Sequence, residues 1–68
     1  MTGGKILSAR ELEVLQYISD GYTNNEMAQV FGISGNTVNT HRKNILRKLQ
    51  LKNTALLIRF AIENKLIK

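Results

Sequence analysis

The sequence predicts an all-α fold, a four-helix bundle that contains a helix-turn-helix. Three observations carry that expectation. Proline is absent from the 68 residues, which suits short helices joined by glycine and asparagine turns. Apolar residues recur at three- and four-residue spacing in four successive segments. Each segment opens on a serine, threonine or asparagine able to cap a helix, and the first two close on glycine. The expected helices span about 9–20, 24–31, 35–50 and 54–64.

The first element begins at Ser8. "SARE" has the form of a capping box, in which the Ser8 hydroxyl accepts from the Glu11 amide while Glu11 reaches back. Leu12, Val14, Leu15 and Ile18 form its apolar stripe, and Gly21 supplies the left-handed residue that ends it. The second element begins at Thr23 with another capping box, "TNNE", closed by Glu26. Met27, Ala28, Val30 and Phe31 give its apolar face, and Gly32 stops it after about two turns. Ile33 is then expected in the core, and Ser34 caps the third helix. Asn53 caps the fourth, and Leu66 and Ile67 are expected to fold back onto the body. Lysines and arginines in the C-terminal halves of helices three and four would favour the helix dipoles.

A chain of this length is one domain, expected here over residues 7–68, with "MTGGKI" at 1–6 read as a flexible linker or a cloning remnant, consistent with one domain cut from a longer protein. The 43% hydrophobic content argues against disorder. Without cysteine, no disulfide or thiolate metal site can staple the fold. The longest uninterrupted apolar run, Ala55 to Ile58, is far too short to span a bilayer, and the N-terminus has no signal-peptide core. The expected location is the cytoplasm.

Net charge is +5, unevenly placed. Residues 1–33 hold Lys5 and Arg10 against Glu11, Glu13, Asp20 and Glu26; residues 34–68 hold eight lysines and arginines against Glu63 alone. That asymmetry points to a polyanionic partner. Nucleic acid comes first and an anionic membrane surface second.

A short helix, a glycine turn and a longer capped helix make a helix-turn-helix. Ala28 lets the two backbones approach, Gly32 takes the turn, and Ile33 and Val38 anchor it. On a projection of helix three at about 100° per residue, Ile45 and Leu49 fall within about 20° of Val38. Asn36, Thr40, Lys43 and Arg47 lie roughly 140–200° away, on a face without a carboxylate. Asn39 sits on one shoulder, and Thr37, His41 and Lys48 sit on the other. Amide, hydroxyl and ammonium groups match the hydrogen-bonding edges of a DNA major groove, which admits one α-helix. The outer stripe is therefore expected to read bases while the shoulders meet phosphates.

Residues 7–67 resemble the LuxR-type (FixJ-type) DNA-binding domain of bacterial response regulators and quorum-sensing regulators. The resemblance rests on "LSARELEVL" at 7–15, "DGYTNNEMA" at 20–28, "GISGNTVNTHRKNILRKL" at 32–49 and "LI" at 66–67. The run Thr37-Val38, His41, Ile45, Lys48-Leu49 is its most specific part. The resemblance implies that helix three lies in the major groove of double-stranded DNA. Base contacts then fall on Asn39, Thr40 and Lys43, and backbone contacts on Thr23, Thr37, His41, Arg42 and Arg47. It also implies a homodimer on DNA through helix four, at Leu56, Arg59, Phe60 and Glu63, with RNA polymerase as a further candidate partner. Ala9 stands where the family usually has proline, and Asn25 and Asn39 where it often has lysine. At Asn39 this removes a charge from the groove.

Several readings stay open beside these. His41 could instead be a structural histidine bonding a backbone group. Glu11 and Glu26 read as caps, and no nucleophile and base lie at a recognisable spacing, so no enzyme, cofactor or metal site is expected. The apolar residues of helix four exceed what one core face absorbs, which favours a partner over complete internal packing. The rival class is a helical protein-interaction module docking an acidic partner. A membrane amphipath fits poorly, because helix three carries amides where a wide apolar face would be needed. RNA is disfavoured by the lack of aromatics arranged for stacking.

Overall fold

A computed structural model describes residues 7–67. The expected linker at 1–6 and the terminal Lys68 lie outside the described residues. Four helices follow one another: α1 (Ala9–Ser19), α2 (Asn24–Phe31), α3 (Gly35–Leu49) and α4 (Thr54–Glu63). Helix α3 packs on both α1 and α2, and α4 packs on α1.

The local signals act as the residue types require. The Ser8 N–H donates to Glu11 Oε1 at 2.9 Å and the Glu11 N–H donates to Ser8 Oγ at 3.1 Å. Thr23 and Glu26 repeat the arrangement at 2.8 and 3.1 Å. Ser34 caps α3 by accepting from the Thr37 N–H, and Asn53 caps α4 by accepting from the Leu56 N–H. Each cap satisfies a donor that the first turn would otherwise leave unpaired. Gly32 closes α2 at φ +67°, in the left-handed region where a side chain is penalised. The ends of α3 and α4 do without glycine: Gln50 and Lys65 both sit at φ +57°. There the Leu51 N–H reaches the Leu46 carbonyl at 2.9 Å and the Leu66 N–H reaches the Ala61 carbonyl at 2.8 Å. These bonds satisfy carbonyls that the last turn would leave exposed.

The core gathers Val14, Leu15 and Ile18 from α1, Met27 from α2, Val38 and Ile45 from α3, and Leu57 and Ala61 from α4. Leu7, just before the Ser8 cap, is buried with them. Ile33, Leu66 and Ile67 are half-buried against this cluster, as expected of them. Two expectations need correction. Val30 is half exposed, at 50%, because a two-turn helix presents only a narrow stripe and Met27 fills it. No basic residue occupies the last turn of α4, since Lys65 lies beyond its Asn64 cap. Helix α3 does end on Arg47 and Lys48.

Candidate nucleic-acid interface

The candidate site is the outer surface of α3 together with the N-terminus of α2. The turn from Gly32 to Ser34 sets the two helices against each other. A Cβ on Gly35 would lie 3.9 Å from Asn25 Oδ1, so the start of α3 stands beside the first turn of α2. Burial of Val38 and Ile45, both fully enclosed, turns the opposite face of α3 outward. Asn36, Thr37, Asn39, Thr40, Lys43 and Arg47 are all exposed. This face holds no carboxylate, as the spacing predicts.

Individual side chains are partly committed. The Thr40 hydroxyl donates to the Asn36 carbonyl at 3.0 Å. Its hydrogen is thereby used, leaving both oxygen lone pairs and a methyl group for any partner. Thr37 Oγ1 lies 2.9 Å from Ser34 Oγ, within the α3 cap. The Arg47 guanidinium donates to Asn44 Oδ1 at 3.0 Å, one turn back on the same helix. Arg42 is half-buried and donates to Thr54 Oγ1 at 2.9 Å, at the start of α4. A guanidinium has five N–H donors, so this bond leaves most of them free. Thr23 is exposed at the N-cap of α2. Asn39 and Lys43 carry no side-chain hydrogen bond to a described residue. His41 is half-buried and likewise makes none, so the backbone bond considered for it is not formed among the described residues.

Lys48 departs from expectation. Its ammonium does not stand free on the shoulder of α3; it donates to both carboxylate oxygens of Glu11, at 2.8 and 3.0 Å. The Glu11 side chain is only 7% exposed and that of Lys48 36%. Burial alone would raise the Glu11 carboxyl. The Lys48 and Ser8 hydrogen bonds and the Lys48 charge outweigh it and hold the group below its ordinary value. Glu11 is thus both the cap of α1 and the counter-ion of α3. The capping spacing was legible in the sequence, but the partner 37 residues away was not.

On α4, Leu56 and Ile62 are exposed at 41% and 61%, while Leu57 and Ala61 fill the core. Leu56, Arg59, Phe60 and Glu63 recur at three- and four-residue steps and share one side of the helix. Arg59 Nε and Glu63 Oε2 lie 3.4 Å apart on it. Among the described residues no group of His, Asp and Glu is arranged to hold a metal ion. Nor is any helix long and apolar enough to cross a membrane.

A capped helix with a polar, acid-free outer face, set by a glycine turn against a shorter helix, defines the helix-turn-helix class of DNA-binding module. Residues 5–61 match the GerE family, the bacterial regulatory proteins of the luxR family. The chain belongs to that family. Over 63 residues it is 43% identical to the oxygen regulatory protein NreC of Staphylococcus carnosus and 44% identical to that of Staphylococcus aureus. Each match covers 93% of this chain but only 29% of the relative's length.

Proposed function

We propose that this domain binds double-stranded DNA with sequence preference, with α3 lying in the major groove. Asn39, Thr40 and Lys43 face base edges, and Thr23, Thr37, His41, Arg42 and Arg47 hold the sugar-phosphate backbone. The observation that carries this reading is the exposed, carboxylate-free face of α3, fixed outward by the burial of Val38 and Ile45. Phosphate contacts supply salt-sensitive affinity, and base contacts supply discrimination. The free N–H groups in the first turns of α2 and α3 add backbone donors for phosphate.

Two copies pair through Leu56, Arg59, Phe60 and Glu63 of α4 across a two-fold axis. Exposure of Leu56 beside half-buried Phe60 supports this face, and the Arg59–Glu63 pair can exchange partners across it at little cost. Half-sites would then lie about one helical turn apart. In the cell this is the output module of a cytoplasmic response regulator, in a regulator similar to the oxygen regulatory proteins it matches, with RNA polymerase as the machinery it addresses.

Selection from a random duplex pool tests the reading. The expected product is an inverted repeat, bound as two copies per duplex by sedimentation. Recovery of no consensus, together with binding to acidic proteins, would favour the protein-interaction module instead.

A further inference from the structure

We infer that the Glu11–Lys48 pair positions the reading face of α3 by fixing the rotation of that helix about its own axis. The inference rests on the reading of α3 as the groove helix. Val38 and Ile45 are fully buried but lie within about 20° of one line along the helix. Half-buried Leu46 packs on the core about 80° from that line on the side of Arg42, while no apolar residue of α3 packs on the side of Lys48, so apolar contact resists rotation poorly in one direction. Off-axis ties supply that resistance. Lys48 stands about 80° to one side of the line and is held by Glu11 of α1. Arg42 stands about 40° to the other side and is held by Thr54 of α4. The two ties run to different helices and so oppose each other.

Glu11 is a firm anchor because the Ser8 capping box already fixes it. With side-chain tips about 6 Å from the axis, a 10° turn displaces them by about 1 Å. A recognition constellation tolerates only about 0.5 Å. The same geometry takes Lys48 out of the set of phosphate ligands, because its charge is spent on a nearly buried carboxylate.

The test compares Lys48→Met, Glu11→Gln and Lys48→Arg with the unaltered chain. Affinity is measured for a duplex selected from a random pool and for random-sequence duplex, over a series of salt concentrations. Thermal melts confirm that each variant is folded at the temperature used. Lys48→Met should lower the ratio of selected to random affinity by about tenfold, the scale of one mismatched base pair. Its salt slope should not change, whereas loss of a phosphate contact would reduce the slope by about 1. Glu11→Gln is the sharper variant. Removing a carboxylate should by charge alone tighten all DNA binding, yet a positioning role requires weaker binding of the selected duplex. Lys48→Arg should restore the ratio. A reduced slope with the ratio intact in Lys48→Met would make Lys48 a phosphate ligand and overturn the inference. An intact ratio in either folded charge-removing variant would reduce the pair to a stabilising tie. Equal affinity of the unaltered chain for both duplexes would instead overturn the reading of α3 itself.

Discussion

Lys48→Met should also reveal the pair in the stability of the free domain. The substitution keeps an apolar stem of similar length and removes the ammonium. It leaves the Glu11 carboxylate nearly buried with Ser8 as its remaining partner. Breaking a fully buried pair costs about 3–5 kcal/mol, and an exposed pair is worth about 0–1 kcal/mol. Here one partner is 7% and the other 36% exposed, so the cost at neutral pH falls between, at about 1–3 kcal/mol. In a domain of this size that lowers Tm by on the order of 10 °C.

The pH dependence gives the prediction its sign. In the folded chain the Glu11 carboxyl is held below its ordinary value of 4.5, so the unfolded chain takes up that proton first. The stability from the pair is therefore complete above about pH 4.5 and is lost as pH falls through the depressed folded value. Lys48→Met lacks that contribution at every pH. The gap in Tm between the two proteins should be constant near neutrality and close on acidification. Circular-dichroism melts across that range measure it. A gap absent at neutral pH, or one undiminished in acid, would mean that the Glu11–Lys48 ion pair does not stabilise the fold.

The other predictions concern the interface and the helix ends. Lys43→Ala should relax preference at one base pair and cost about 1–3 kcal/mol on the selected duplex, read by competition binding. Arg47→Ala should weaken all duplexes nearly alike and reduce the salt slope by about 1; an altered consensus would instead make Arg47 a base contact. Gly32→Ala meets no atom within 4 Å, so only the φ of +67° opposes it, and denaturant unfolding should show a loss of about 1–2 kcal/mol. Gln50→Gly should have the opposite sign, a gain of about 1 kcal/mol, because a left-handed φ of +57° is strained for glutamine.

The parts of the fold legible in the sequence were those set by neighbours along the chain. Ser8 with Glu11, Thr23 with Glu26, Ser34 and Asn53 each satisfy amides within three residues, so spacing alone locates all four helix starts. Gly21 and Gly32 mark ends for the same local reason. The ends at Gln50 and Lys65 are less distinct because no glycine marks them. Burial of Leu7 had a readable signal, since it precedes the cap and faces Leu12 in the hydrophobic-staple pattern. Exposure of Val30 had none, because periodicity does not say how much of a short helix's stripe the neighbours can cover. The outward face of α3 was legible because core burial at Val38 and Ile45 dictates it. The commitments of Lys48 to Glu11 and of Arg42 to Thr54 were not, because a long cationic side chain chooses among partners brought near only by the tertiary fold.

DNA docking by α3 and the start of α2 is open to direct observation in the free domain. An NMR titration of the ¹⁵N-labelled domain with random-sequence duplex, at low and then higher salt, tests it most directly. Salt-sensitive shifts should concentrate at Thr23 to Glu26 and at Thr37 to Arg47, with Lys48 and Glu11 keeping their pairing. Silence at those residues, or shifts spread evenly over every lysine and arginine, would contradict it.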